Sequence, residues 1–245
     1  MNDDESRALG WKLGAIQVVE FAQLKDHCIA YTATWIRRRF KGRDLFDEKK
    51  QMGKFDSGIP NQPRFAWTKQ KDPSGGFMPN KFEVKQDTFE DNNAMRSAEY
   101  EKNRKAGRDQ PTTMSMESQY IIGGRSFSGL SNGAPSNRVM QMLPPVPKAF
   151  IEGADTFRGI FRLIFDTKCF GSIGFSAKPA HAVALDCTRV PLCVYFDPNL
   201  GELTFPKFEL FWDWWERCFN DRADGDGAWG KINVDGQVEA MRYAP

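Results

Sequence analysis

The stretch "HAVALDCTRVPLCVYFDPNLGE", residues 181–202, decides how this chain folds. It contains two short apolar runs, 181–186 and 192–197, and each is predicted to form a strand. The segment "CTRVP" joins them, and the turn-forming residues "PNLGE" follow the second run. The stretch therefore predicts an antiparallel hairpin.

The predicted hairpin brings a histidine and an aspartate together. If its turn is centred near Arg189, residues whose numbers sum to 378 face each other, and His181 lies opposite Asp197. Directly opposed side chains have Cβ atoms about 4.5–5.5 Å apart, which allows an imidazole to hydrogen-bond to a carboxylate. Because side chains alternate between the two faces of a strand, a register slip of one residue would break this pair.

A cysteine that could use this histidine lies near the start of the chain. The segment 29–40 has small and apolar residues at helical spacing, which predicts a helix. Three arginines near its end, followed by Gly42, are typical of a helix C-terminus. Cys28 begins this helix, and Trp35 lies about two turns further along the same face. A helix N-terminus and a neighbouring imidazolium both favour the thiolate form, which is the form that attacks a carbonyl.

Cys28, His181 and Asp197 are thus candidates for a nucleophile, a base and the group that orients the base. Taken singly, each has an ordinary structural interpretation: a small buried residue, a strand histidine and a turn cap. The only other histidine in the chain is His27. Since successive helical side chains point about 100° apart, we expect His27 to flank the site at most.

The composition agrees with a soluble globular protein. Apolar residues make up 40% of the 245 residues and charged residues 27%, and the formal net charge of +2 favours no strongly charged partner. Five scattered cysteines without a C-x-x-C pair indicate reduced thiols rather than a disulfide framework or a zinc site. The acidic N-terminus does not have the pattern of a Sec signal peptide, and no apolar run is long enough for a membrane span.

The remaining segments give a coarse secondary-structure prediction. A strand or buried segment is expected at 12–22, a helix at about 148–157 and a strand at 159–166. The polar region at about 43–118 is interpreted as loops with one surface helix, around 89–105, inserted into a single domain of residues 1–245. A glycine- and serine-rich cluster at 121–137 is interpreted as a loop, since it matches neither a P-loop nor a nucleophile elbow.

The predicted elements combine into one α+β domain. Small side chains at Ala30 and Ala33 would let the Cys28 helix approach a sheet built from 159–166, 181–186 and 192–197. The expected contact face of the two later strands consists of Val183, Leu185, Cys193 and Tyr195.

These residues resemble a known protein family. A cysteine followed by a helix with tryptophan at its seventh position, then "HAVALD", then "VYFDPNLGE", is similar to the YopT and AvrPphB family of bacterial effector cysteine proteases. In that family a Cys, a His and an Asp follow one another in this order, and a polar amide side chain five residues before the nucleophile serves the oxyanion hole. Gln23 occupies that position here. The aspartate motif is reproduced by Phe196, Asp197, Pro198, Asn199, Gly201 and Glu202.

The resemblance implies a papain-like fold and a cysteine protease that works by acyl transfer at Cys28, His181 and Asp197, with Gln23 in the oxyanion hole. It implies no metal and no organic cofactor. The expected substrate is a protein of a target cell rather than a nucleic acid, reached through a bacterial secretion system without a Sec signal. A secretion chaperone or an immunity or inhibitor protein would be a further partner.

Two other functions remain open at this point. The same triad on related folds serves peptidoglycan amidases and glutamine deamidases, which differ in what they cleave. The chain could also be a binding protein whose triad is inactive. Alkylation of Cys28 near pH 6 separates this last alternative from an enzyme, because an unactivated thiol reacts slowly there.

Overall fold

The computed structural model describes residues 1–22, 27–43, 45, 52–56, 63–67, 81–107, 120–121, 140–142, 154–175, 181–223 and 238–244. Within these ranges the helices are α1 (Asp3–Lys12), α2 (Cys28–Phe40), α3 (Lys81–Lys105), α4 (Ala154–Asp166) and α5 (Phe208–Ala223). The strands are β1 (Gln17–Ala22), β2 (Met52–Asp56), β3 (Pro63–Trp67), β4 (Met140–Met142), β5 (Phe170–Phe175), β6 (His181–Asp186), β7 (Cys193–Asp197), β8 (Gly201–Phe205) and β9 (Val238–Tyr243).

All of these strands belong to one sheet, with the order β2-β3-β1-β8-β7-β6-β5-β9-β4. Neighbouring strands are antiparallel except β1 and β3, which are parallel. The centre of the sheet is the meander β5–β6–β7–β8, in which each strand pairs with the next one along the chain. Short connections favour antiparallel pairing of this kind.

Helices cover both faces of the sheet and give a three-layer α+β domain. On one face, apolar side chains of α4 and α5 form a core with the sheet, and α1 packs against it through Leu9 and Trp11. On the other face, α2 forms a second core that also includes Phe89 of α3. The α+β fold expected from the sequence is confirmed.

The sequence prediction is wrong for residues 159–166, which belong to helix α4 and not to a strand. Buried positions in this helix recur at the spacing of one helical face: Phe157, Ile160, Phe161 and Ile164. The intervening Arg158, Gly159 and Arg162 are exposed. Ile and Phe have high strand propensity, but here the 3.6-residue period determines the structure.

The prediction is also wrong about which face of the hairpin meets α2. Val183, Leu185, Cys193 and Tyr195 belong to the core formed with α4 and α5. The side chains that pack with Ala30 and Ala33 of α2 are those of the alternate positions, Ala184, Val194 and Phe196. Alternation fixes which residues share a face, but it does not say which layer covers that face.

Several other segments differ from the sequence prediction. Helix α1 is not predicted, although Asn2 and Glu5 form a capping box that marks its start. In the polar region 43–118, α3 begins earlier than expected, and β2 and β3 add two strands to the sheet. Most of the cluster 121–137 lies outside the described residues.

Among the described residues, none of the helices combines the length and the apolar character that crossing a membrane requires.

Candidate active site

Cys28 is the first residue of α2, and its side chain is buried, with 3% of its surface exposed. The helix is anchored by Ala30, Ala33 and Ile36, which are fully buried against the sheet. At the N-terminus of a helix, unpaired backbone N–H groups give a partial positive charge that favours an anionic side chain. Cys28 lies at this end of α2.

His181, the first residue of β6, lies between Asp197 and Cys28. Its Nε2 is 3.0 Å from Oδ1 of Asp197, and its ring also interacts with the Cys28 side chain through a hydrogen bond. His181 is 6% exposed and Asp197 is fully buried. The structure thus brings together the three residues that the sequence singled out.

The register that achieves this differs from the predicted one by two residues. Leu185 pairs with Tyr195 and Ala184 with Phe196, so that facing residue numbers sum to 380 rather than 378. His181 and Asp197 are therefore diagonal neighbours and not directly opposed. A shift of two residues preserves the face on which a side chain lies, and diagonal side chains on one face remain within reach of each other.

Asp197 has further hydrogen bonds that fix its carboxylate. The backbone N–H of Asn199 donates to Oδ1 at 2.8 Å, and the hydroxyl of Tyr195 donates to Oδ2 at 3.4 Å. The first of these bonds closes a turn of the Asx type. The carboxylate of Asp197 therefore caps this turn and contacts His181 at the same time.

The surroundings of His181 stabilise its protonated form. Burial by itself lowers the pKa of the imidazole, but the charge of Asp197, its hydrogen bond and the contacts with Cys28 outweigh this effect and raise the pKa of His181 to about 10. At neutral pH the ring is therefore an imidazolium between a carboxylate and a sulfur atom. Because Nε2 is engaged with Asp197, Nδ1 is the ring nitrogen that can serve the thiol.

The two remaining candidates have different outcomes. Gln23 lies outside the described residues, so its place in an oxyanion hole stays a prediction. His27 directly precedes α2 and is buried, and its ring centroid lies 6.4 Å from that of Tyr31. The side chains that raise the pKa of His181 are those of Asp197 and Cys28, and His27 is not among them.

A buried polar cluster, which sequence reasoning missed, ties α2 to the same strands. The indole N–H of Trp35 donates to Glu202 at 2.8 Å, and Arg39 pairs with Glu202 at 2.7 Å and with Asp186 at 2.9 Å. The guanidinium of Arg39 lies over the Trp35 ring, which stacks on Phe196 at a centroid distance of 5.3 Å. This Trp35–Glu202 cluster explains why a tryptophan follows the cysteine by two helical turns.

Gly201 allows the turn after Asp197 to approach β1. Its φ of 107° lies in the region that favours glycine. A Cβ at this position would lie 2.0 Å from the carbonyl oxygen of Val19. Close backbone packing therefore requires the glycine of the "FDPNLGE" motif. Glu202, the next residue, belongs to the cluster with Trp35.

The described residues include no group of three or more His, Cys, Asp and Glu side chains that could hold a metal ion. All five cysteines are buried free thiols. The arrangement of Cys28, His181 and Asp197 can perform proton transfer and nucleophilic attack.

Two comparisons with known proteins find similarity to this chain. A protein-family model of peptidase family C58, described as "Yersinia/Haemophilus virulence surface antigen", matches residues 165–231. The matched region includes His181 and Asp197 but not Cys28. The resemblance to the YopT and AvrPphB family is confirmed by this match. No curated protein matches the chain significantly.

The solved structures include a protein with a similar fold. The crystal structure of the avirulence protein AvrPphB from Pseudomonas aligns with a TM-score of 0.51 at 12% sequence identity, over 94% of this chain and 98% of that chain. At this identity the similarity shows the fold alone, and it confirms the expected cysteine protease fold. Together with the family match, it supports a cysteine peptidase.

Proposed function

We propose, from the similarity to peptidase family C58 and the site geometry, that this chain is an effector protease that cleaves a protein of a target cell by acyl transfer at Cys28. The observation that carries the proposal is the position of the His181 ring, which contacts the Cys28 side chain and binds Asp197 at 3.0 Å. A protonated imidazole beside a thiol at a helix N-terminus favours the imidazolium–thiolate pair that this chemistry uses.

In the first half of the reaction, the Cys28 thiolate attacks the carbonyl carbon of a peptide bond. The carbonyl electron pair moves to the oxygen, which becomes an oxyanion bound by backbone and side-chain N–H donors. When the tetrahedral intermediate collapses, the C–N bond breaks and His181 gives its proton to the leaving amine. The acyl group remains on the sulfur as a thioester, and the imidazole is neutral.

In the second half, the neutral imidazole accepts a proton from water, whose oxygen attacks the thioester carbon. Collapse of the second intermediate breaks the C–S bond and releases the carboxylic acid. The thiolate and the imidazolium are then restored. Throughout the cycle Asp197 orients the ring through Nε2, so that Nδ1 remains directed to the reacting atoms, and it stabilises the positive charge of the ring whenever the ring is protonated.

Gln23 completes the proposed site as an oxyanion donor, together with the backbone N–H of Cys28. Removal of one such donor lowers turnover by about 100- to 1000-fold in comparable enzymes. We expect Gln23→Ala to lower turnover by this amount while the rate of Cys28 alkylation stays nearly unchanged, because alkylation forms no oxyanion. A parallel loss of both rates would assign Gln23 a structural role instead.

The proposal extends to where the protein acts. Similarity to a family described by a virulence antigen supports delivery into a target cell by a bacterial secretion system. A protein substrate, and a secretion chaperone or an immunity or inhibitor protein, would then be its partners. The proposed chemistry uses no metal and no organic cofactor.

The substrate can be found by comparing new protein N-termini in target cells that express the active chain or its Cys28→Ala variant. We expect N-termini that appear with the active chain and are absent with Cys28→Ala. If the two sets of N-termini are identical while both proteins are present and folded, proteolysis in these cells is excluded.

Alkylation distinguishes an enzyme from an inactive binding protein without knowledge of the substrate. At pH 6 iodoacetamide should modify Cys28 faster in the wild-type chain than in His181→Ala, with the modified residue identified by mass spectrometry. Equal and slow rates in both proteins would show that His181 does not activate the thiol.

A further inference from the structure

Thr32 makes a direct contact between the helix that carries Cys28 and the strand that carries His181. It lies one helical turn after Cys28, on the same face of α2, and it is fully buried. Its hydroxyl donates a hydrogen bond of 3.0 Å to the backbone carbonyl oxygen of Ala182. Ala182 is the residue that follows His181 in β6.

This hydrogen bond lies at the start of β6, where the strand pairs with only one neighbouring strand among the described residues. In the described pairings, β7 faces only the second half of β6, from Ala184 to Asp186. His181 and Ala182 pair with β5 alone. The hydroxyl of Thr32 therefore supplies a polar contact to β6 beyond the end of its pairing with β7.

The direction of the Thr32 hydroxyl is itself informative. A threonine within a helix commonly bonds the carbonyl four residues earlier in its own helix, which for Thr32 belongs to Cys28. Here the hydroxyl instead donates to another element of the fold. The bond thus connects two layers of the structure and does more than satisfy a buried polar group.

We infer that Thr32 is a positioning residue that holds the Cys28 thiol against the His181 imidazole. The inference rests on the proposed function, because it assumes that these two groups act as a pair. One helical turn separates Thr32 from Cys28, and Ala182 is adjacent to His181 in sequence. Loss of the hydrogen bond is therefore expected to displace Cys28 relative to His181. Displacement of reacting groups by about 1 Å can cost about 100-fold in rate.

The test compares variants that differ by a single hydroxyl group. Thr32→Ser keeps the donor, whereas Thr32→Ala and Thr32→Val remove it. Ser and Ala leave the same space where the threonine methyl was, and Val has the shape of threonine. Thr34→Val is the matched control, since Thr34 is buried in the same helix but its hydroxyl lies 3.4 Å from the hydroxyl of Tyr120, away from β6.

The readouts are the pH dependence of Cys28 alkylation and the free energy of unfolding, both measured on the full chain. We expect Thr32→Val and Thr32→Ala to lower the alkylation rate at pH 6 by about 10- to 100-fold and to move the pH–rate curve to higher pH. Thr32→Ser should restore the wild-type curve. Thr34→Val should keep the wild-type curve even if it lowers the free energy of unfolding.

Unchanged pH–rate curves in Thr32→Val and Thr32→Ala would overturn the inference and leave Thr32 a structural residue. If Thr32→Val does not fold, the comparison of Thr32→Ala with Thr32→Ser decides the matter alone. Failure of the proposed function has a different signature: the wild-type chain itself would react at pH 6 no faster than His181→Ala.

Discussion

The two faces of the central sheet differ in which elements their buried polar contacts join. The face covered by α4 and α5 is an aromatic core, in which Phe161 lies 4.8 Å from Trp215 and Tyr195 lies 5.2 Å from Trp214 between ring centroids. The face covered by α2 combines an apolar core with buried polar groups, among them Glu202. The aromatic face also buries a polar contact, in which the indole N–H of Trp214 donates to the carbonyl oxygen of Ser6 at 2.8 Å, but this contact joins α5 to α1 and not α2 to β6.

Apolar burial stabilises the domain without fixing orientation tightly. The hydrophobic effect follows the area removed from water and has no direction, although ring pairs add a moderate geometric preference. Helix α5 contributes Trp212, Trp214 and Trp215 to this face. The aromatic side is therefore expected to supply much of the stability, and it contacts the candidate site through the Tyr195 hydroxyl, 3.4 Å from Oδ2 of Asp197.

Polar contacts on the α2 side have strict distances and angles, and they can hold Cys28 in place. The Trp35–Glu202 cluster attaches the second half of α2 to β6 and β8, and the Thr32 hydrogen bond attaches its first half to β6. Buried polar groups cost stability unless they are satisfied. Their presence beside the candidate site agrees with a need for fixed geometry.

The largest expected effect is on turnover, from the residue at the meeting point of the layers. His181→Ala should lower turnover by at least about 10⁴-fold, because loss of the base in a triad removes nearly all of its catalysis. The measurement is the cleavage rate of an identified substrate. Activity like that of the wild type would show that the contact of His181 with Cys28 and Asp197 is not catalytic.

A change in the aromatic core should affect stability and leave the chemistry intact. Trp215→Ala is expected to lower the free energy of unfolding by about 3–5 kcal/mol, as truncation of a large buried side chain does. Trp215 is 1% exposed and stacks on Phe219 at a centroid distance of 5.0 Å. Denaturant unfolding measures the loss, and the alkylation curve of the folded fraction should not move. A shift of that curve would contradict the separation of the two faces.

A change in the Trp35–Glu202 cluster should lower the free energy of unfolding by less than Trp215→Ala does. Glu202→Gln removes the charge that Arg39 pairs with at 2.7 Å, while Asp186 continues to pair with Arg39. We expect a loss of about 1.5–3 kcal/mol, the range for hydrogen bonds to charged groups. The loss of stability caused by Glu202→Gln should be smaller when it is made in the Arg39→Met variant, because there the charge on Glu202 has no cationic partner in the cluster. Equal losses in both backgrounds would argue against this coupling.

The pH dependence of stability reports on His181 directly. The folded state holds its proton up to about pH 10, whereas an ordinary histidine in the unfolded chain releases it near pH 6.5. The stabilisation of the folded state by protonated His181 is therefore fully present below about pH 6.5 and is lost as the pH rises through about 10. The difference in unfolding free energy between the wild type and His181→Gln should shrink over this interval.

The control for this pH prediction is Asp197→Asn. The charge of Asp197 is the largest contribution that raises the pKa of His181, so its removal should move the loss of stability to lower pH. A curve that stays in place would show that Asp197 does not hold the proton on His181.

The smallest expected effect concerns the second histidine. His27→Ala should lower turnover only slightly, because His27 precedes α2 with its ring centroid 6.4 Å from that of Tyr31, whereas the contacts of the His181 ring are with Asp197 and Cys28. The measurement is turnover together with circular dichroism as a check on folding. A complete loss in a folded protein would mean that His27 is the functional imidazole.

Local sequence determined the elements that carry the site. The helix at 28–40 and the strands at 181–186 and 193–197 follow from period and end signals, which act over a few residues. The three candidate residues could be named for the same reason, since each lies at the end of such an element in a recognisable motif. Where a local signal was ambiguous, as at 159–166, the prediction failed.

Tertiary structure decided how these elements meet. The register of the hairpin, the layer that covers each face, the strands β2 and β3 and the contact from Thr32 to Ala182 all depend on residues far apart in sequence. Alternation leaves a register free to shift by two residues, and an apolar face can be covered by any helix of matching shape. The sequence alone named the candidate residues, whereas packing of the elements set the distances between them.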